Sequence, residues 1–320
     1  MTLQNAGVAA YPHPTWGWTT SPDTDRVVHG VTICGTALDY RVTSDSQGLR
    51  ATRRGPAADG SRIFVFGCSF SYGWMISDED TYAWRLQAAF PQTQVTNFAQ
   101  PGFGTTHAVV QLMEQIEQGN IPDACIFAYL PTMEQPFGHP DRNVANPLNI
   151  MAITTQVEFS EYLTRMSYPR AHLKVGGGIS LSYVPMDVRA LQGVNPAHIA
   201  VDTAYTHLVT RGLVDVIMEL AKTHGFTPIF INLLPADRDT LPSYLRDAHG
   251  VKMINGVLPL QDADPHYRVS RLDIHPNAVS HEIYFDRLRE PVASALTARS
   301  GRVATGSDRP FTAQDVTEAV

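Results

Sequence analysis

Ile63-Phe64-Val65-Phe66-Gly67-Cys68-Ser69-Phe70-Ser71-Tyr72-Gly73 is the stretch from which the rest of the chain takes its meaning. Its first four residues form a continuous apolar run, too short for a helix and suited to a strand buried on both faces, as in a parallel sheet. The run ends at Gly67, and a small polar residue follows at Ser69. In an open α/β sheet the reacting groups lie beyond the carboxyl ends of the strands, so Ser69 stands where a nucleophile would be useful. A Gly-x-Ser turn is also a common loop sequence with no chemistry of its own.

Working outward, Ser77 with Asp80 can cap a helix. Tyr82, Leu86 and Phe90 would stripe it and Pro91 would stop it. Val95-Thr96-Asn97-Phe98 reads as a second strand, Val109, Leu112, Met113 and Ile116 as a second helical stripe, and Cys125 to Leu130 as a third strand. Ala204, Leu208, Ile217 and Leu220 mark another helix, Ile229 to Leu234 another strand, and Phe285, Leu288 and Val292 a last helix that Pro291 should kink or end. Strands alternating with helices predict βαβ units around a parallel sheet, hence an α/β fold over residues 61–298. Residues 1–60 carry short alternating runs at 31–34 and 38–42 and suggest a small β-rich cap or lead-in. Periodicity fades over 131–197, taken as an insertion over the sheet's edge or active face, with Gly176 to Gly178 as flexible chain. The polar stretch 299–320 is expected to be disordered.

Composition narrows the function. The chain has 320 residues, 43% hydrophobic, enough for one large core. Only 17% of residues are charged and the net charge is −7, so no basic surface offers itself to nucleic acid. Three dispersed cysteines, Cys34, Cys68 and Cys125, make no disulfide framework and fit a reducing compartment. The opening residues lack a signal-peptide pattern and no run is long enough to span a bilayer, giving the expectation of a cytoplasmic protein without a membrane partner. The twelve histidines show no zinc-binding spacing, and no cofactor or metal is expected.

The second chemical element is Leu272-Asp273-Ile274-His275-Pro276-Asn277. In extended backbone, residues two apart face the same side, so Asp273 can hold and charge-stabilise His275 without a long-range contact. Asp264-Pro265-His266 has the same spacing nine residues earlier. The later pair is favoured because Pro276 and Asn277 end the extended piece and launch a helix.

Together, Gly67-x-Ser69-Phe70-Ser71, Asn97-Phe98-Ala99-Gln100-Pro101-Gly102 and Asp273-x-His275-Pro276-Asn277 resemble the SGNH/GDSL hydrolase superfamily, in that family's order and over roughly residues 61–298. The resemblance implies a three-layer α/β/α sandwich with a central parallel sheet. It also implies Ser69 as nucleophile, His275 as general base, Asp273 as its orienting carboxylate, and an oxyanion hole from the backbone N–H groups of Ser69 and Gly102. Two features depart from the family. The Gly-x-Asn-Asp block expected near 129–132 reads Tyr129-Leu130-Pro131-Thr132, leaving Thr132 or Gln135 to replace the third oxyanion donor. The final pair is Asp-x-His where many members have Asp-x-x-His, a spacing that resembles carbohydrate-acylating and deacylating branches.

These readings converge on a serine-dependent hydrolase cleaving an O-acetyl or other short acyl ester on a sugar or small metabolite. The alternatives are an acyltransferase using the same acyl-serine, and a non-catalytic ligand-binding member of the fold. His107, following the Gly102 loop, is a candidate substrate contact. Cys68 is a rival thiol nucleophile, against the usual role of a buried cysteine as a small hydrophobe. His281 shares a helical face with Phe285 and Leu288 and reads as a core or supporting residue.

Overall fold

The apolar run at Ile63 lies inside a five-stranded parallel sheet in the computed structural model. The structure describes residues 10–31, 37–52, 60–131, 133–134, 167–185, 203–235, 241–260 and 264–299. Two antiparallel hairpins come first, β1 (Ala10–His13) with β2 (Gly17–Thr20) and β3 (Asp25–Val31) with β4 (Ala37–Thr43). There follow β5 (Arg62–Phe66), α1 (Ser69–Tyr72), α2 (Tyr82–Ala89), β6 (Gln94–Asn97), α3 (Thr105–Glu117) and β7 (Ala124–Tyr129). A hairpin of β8 (Ser167–Leu173) and β9 (Ile179–Pro185) leads to α4 (Thr203–His224), β10 (Thr227–Asn232), α5 (Leu241–His249) and β11 (Ile254–Asn255). The chain closes with a short hairpin, β12 (Arg268–Ser270) and β13 (Asp273–Pro276), and α6 (Ala278–Arg299).

Within the sheet the order is β11-β10-β7-β5-β6. The chain therefore steps from β5 outward to β6 and then crosses back past β5 to β7. Such a reversal separates the loops above β5 and β7 and opens a crevice at their carboxyl ends, which is where Ser69 follows β5.

Alternation along each strand sends different side chains to the two faces. Ile63, Val65, Ile126, Ala128, Ile229 and Ile231 face α2 and α6 in an aliphatic layer. Phe64, Phe66, Phe127, Tyr129 and Phe230 face α3, α4 and α5. That second layer is aromatic: Phe127 stacks between Phe66 (ring centroids 5.3 Å apart) and Phe230 (5.1 Å). The result is the expected three-layer α/β/α sandwich, and each such side chain contributes roughly 1.5–3 kcal/mol over its exposed state.

Local departures from the sequence expectations have physical causes. Ser77 precedes a single 3₁₀ turn, Asp78–Asp80, and its hydroxyl accepts from the Arg41 N–H, so the cap of α2 falls to Thr81, whose Oγ1 accepts from Trp84 N–H at 3.2 Å. Pro291 lies inside α6, which runs on to Arg299. Gly176, Gly177 and Gly178 form the β8–β9 turn, with φ of 95°, 105° and 84°, values open to glycine at no cost. That hairpin buries Tyr168, Ala171, Ile179 and Leu181 against the aromatic layer, giving structure to part of the expected insertion. Residues 32–36 and 300–320 lie outside the described residues. No helix among those described is long and apolar enough to cross a membrane.

Two histidines are sealed into these layers. His107 stacks on Phe103 at 3.9 Å, and His281 packs on Tyr82 at 5.6 Å while its Nδ1 accepts from the Tyr82 N–H. Burial pushes each imidazole down to about 3, helped at His281 by the Arg50 and Arg85 charges. An unfolded histidine titrates near 6.5, so the neutral rings stabilise the fold fully above that pH and progressively less as pH falls toward 3. Unfolding free energy is expected to drop by about 1.4 kcal/mol per pH unit for each histidine in that window. Urea midpoints measured between pH 7 and 4.5 check this; a midpoint that does not move would contradict it.

Candidate functional site

Strand β5 delivers the chain to Gly67, where a Cβ would stand 2.5 Å from Ser71 Oγ and 2.8 Å from Ser71 Cβ. Only glycine fits, and that close approach lets α1 begin at once, with Ser69 as its first residue. As the first residue of a helix, Ser69 has a backbone N–H with no acceptor within it. Gly73 closes α1 at φ 85°, its N–H donating to Ser69 O at 3.1 Å.

At the other end of the chain, β13 runs extended through Asp273-Ile274-His275. Leu272 and Ile274 are exposed, while Asp273 and His275 turn toward α1. His275 Nε2 lies 2.9 Å from Ser69 Oγ. On the ring's other side, Nδ1 is 2.5 Å from Asp273 Oδ1, and the same oxygen accepts from the His275 backbone N–H at 2.9 Å. A proton on Nδ1, facing the carboxylate, leaves Nε2 as the acceptor for the Ser69 hydroxyl. Burial alone would raise Asp273, but its hydrogen bonds to His275, that residue's charge and the Arg268 guanidinium together hold it below the usual carboxylate range. The carboxylate thus stays ionised at neutral pH. Phe70 and Trp74 flank the imidazole, with ring centroids 5.3 and 5.9 Å away.

The strand pair β12–β13 is held by Arg268, whose Nη2 donates to Arg271 O at 2.9 Å, and by Asn277, whose Nδ2 donates to His266 O and Arg268 O. Asn277 Oδ1 then accepts from Ser280 N–H at the start of α6. This is how a long helix anchors a short strand bearing the histidine.

The Gly102 loop follows β6. Gly102 has φ 87°, a left-handed conformation suited to glycine. Gln100 N–H donates to Gly67 O at 3.2 Å, tying this loop to the one that carries Ser69. Asn97 makes a second tie: its Nδ2 donates to Ser71 O and its Oδ1 accepts from Ala99 N–H.

Other candidates stand elsewhere. His107 is fully buried behind Phe103 and Trp18, a correction to its reading as a substrate contact: its ring serves the core. Cys68 is buried in the aliphatic layer, and burial pushes its thiol up to about 11, which suppresses the thiolate a nucleophile needs. His266 is exposed, and Asp264 accepts from its backbone N–H. Thr132 and Gln135 lie outside the described residues.

Two supports escaped the sequence reading. Arg50 and Asp78 form a buried ion pair, Nε to Oδ1 2.8 Å, behind the nucleophile loop. Arg50 also donates to the carbonyls of Tyr72, Gly73 and Ile76, bracing the turn where Met75 sits at φ 61°. Glu134, also buried, accepts from the N–H and hydroxyl of Thr105 at the start of α3. Neither carries a local sequence signal, since each partner is remote along the chain. A cavity of about 470 Å³ beside β6, lined by amides such as Gln94, Gln118 and Asn120, includes none of Ser69, Gly102, Asp273 or His275.

No family model and no curated protein matches the chain. Among solved structures it is similar to a G-D-S-L lipolytic family protein from Veillonella parvula, at 15% identity over 72% of this chain and 97% of that one, with a TM-score of 0.38. A GDSL-like lipase from Bacteroides thetaiotaomicron matches at 13% identity over 76% of this chain and 92% of that one, TM-score 0.40. The catalytic domain of a peptidoglycan O-acetyltransferase from Streptococcus pneumoniae matches at 10% identity over 74% and 95%, TM-score 0.33.

Proposed function

We propose that this protein is a serine-dependent hydrolase of a short acyl ester, an O-acetyl or similar group on a sugar or small metabolite. The observation that carries the proposal is the unbroken hydrogen-bonded series from Asp273 through His275 to Ser69. Ser69 Oγ attacks the ester carbonyl carbon while His275 Nε2 takes the hydroxyl proton, and Asp273 stabilises the imidazolium that results. Negative charge on the former carbonyl oxygen falls to the N–H groups of Ser69 and Gly102. Collapse expels the alcohol, which receives the proton from His275, and leaves an acyl-serine. Water then repeats the sequence, giving up its proton to His275, and the free acid leaves.

The short-acyl reading requires that turnover of a p-nitrophenyl ester series be highest for acetate and fall with each added pair of methylenes. Equal rates from acetate to octanoate would overturn the short-acyl reading. Adding an alcohol acceptor decides between water and transfer: hydrolysis predicts free acetate as the main product, and a predominantly acylated alcohol would make the protein an acyltransferase.

A further inference from the structure

The peptide unit that ends in the Gly102 N–H begins with the Pro101 carbonyl, and that carbonyl is held from outside the sheet. Trp18, on β2, donates its indole Nε1–H to Pro101 O at 2.9 Å. The peptide is trans, so its C=O and N–H point in opposite directions within one plane. Fixing the oxygen therefore aims the Gly102 N–H. A donor on the oxygen also polarises the amide and strengthens its N–H as a donor.

The preceding residue is locked to the same hairpin. Gln100 is fully buried; its Oε1 accepts from Thr20 N–H at 3.2 Å, and its Nε2 donates to Thr19 Oγ1 and to Gly48 O at 3.2 and 3.0 Å. The Trp18 ring packs edge-on against Phe103 at 5.2 Å and His107 at 5.3 Å, so its own orientation is set by the aromatic layer. His107 thereby acquires a use: it is the floor on which Phe103 and Trp18 rest.

We infer that the N-terminal hairpin is part of the reaction apparatus, with Trp18 and Gln100 as positioning residues that aim the Gly102 amide at the developing oxyanion. The inference rests on reading Gly102 as an oxyanion donor. Trp18→Phe keeps an aromatic ring against Phe103 and His107 while removing the N–H donor together with part of the indole's buried volume. It is expected to lower kcat on p-nitrophenyl acetate on the order of ten- to a hundredfold, with KM within about twofold of wild type. The affinity of an aryl boronic acid, whose serine adduct is tetrahedral, should weaken by the same factor as kcat. Thermal melting and near-ultraviolet circular dichroism verify that the variant is folded. A folded Trp18→Phe enzyme with kcat within about twofold of wild type, or with the whole loss in KM, overturns the inference. If that variant does not fold, Gln100→Met is judged by the same two results. Failure of the underlying reading looks different: a folded Gly102→Pro variant, which has no N–H to donate, with unchanged kcat would remove the oxyanion role itself.

Discussion

His275→Ala is expected to lower kcat/KM for an acetyl ester by about 10⁴-fold or more while leaving the chain folded. Among the described residues the imidazole bridges Ser69 and Asp273, so its loss takes away the base that stands 2.9 Å from the serine hydroxyl. Its ring is partly exposed and contributes modestly to packing, whereas β13 keeps its backbone anchors through Arg268 and Asn277. Asp273→Asn should also depress turnover steeply. An amide in place of the carboxylate offers no charge to the imidazolium and can present an N–H to Nδ1, favouring the wrong tautomer. His266→Ala, on an exposed residue, should do little. Steady-state kinetics with circular dichroism on these three variants check the assignment; an active His275→Ala enzyme, or an inactive but folded His266→Ala one, would reverse it.

The largest stability effect is expected at Arg50. Its guanidinium is fully buried, paired with Asp78, and donates to three carbonyls of the turn behind Ser69. Arg50→Met would leave the Asp78 carboxylate buried with, among the described residues, the N–H and hydroxyl of Thr43 as its side-chain oxygens' remaining donors, and would strip the guanidinium donors from the Tyr72, Gly73 and Ile76 carbonyls, of which Gly73 O keeps the Ile76 N–H. Removing one member of such a pair costs about 3–5 kcal/mol, against which the hydrophobic gain of methionine is small. Replacing both partners, Arg50→Met with Asp78→Leu, should recover part of that loss, because the uncompensated charge is gone. Urea unfolding of the single and double variants measures it; a single variant within about 1 kcal/mol of wild type would show that the pair adds little beyond packing.

The sheet was readable because its central strands are buried on both faces, so β5, β7 and β10 appear as uninterrupted apolar runs. Helix α3 was readable for the complementary reason, a stripe facing one aromatic layer; of the residues that marked α4, Ile217 and Leu220 face that layer, whereas Ala204 and Leu208 are exposed. Helix α5 was not: among its nine residues only Leu241 and Leu245 are buried, too thin a stripe to see in a proline-bearing stretch. Strand β11, two residues long, leaves no pattern at all. The Asp273–His275 juxtaposition was accessible because it is local in extended backbone. The approach of His275 to Ser69 spans 206 positions, and only the order of the three motifs hinted at it. Trp18, Arg50 and Glu134 act through partners far along the chain, and tertiary contact of that kind has no periodicity to betray it.

The central claim is that Ser69 is an activated nucleophile. Reacting the protein with a fluorophosphonate and mapping the adduct by peptide mass spectrometry tests it most directly. A single adduct on the peptide bearing Ser69 is expected, absent in Ser69→Ala and retained in Cys68→Ala, since the buried thiol is held protonated. An adduct that survives Ser69→Ala, or one that maps to Cys68, would contradict it.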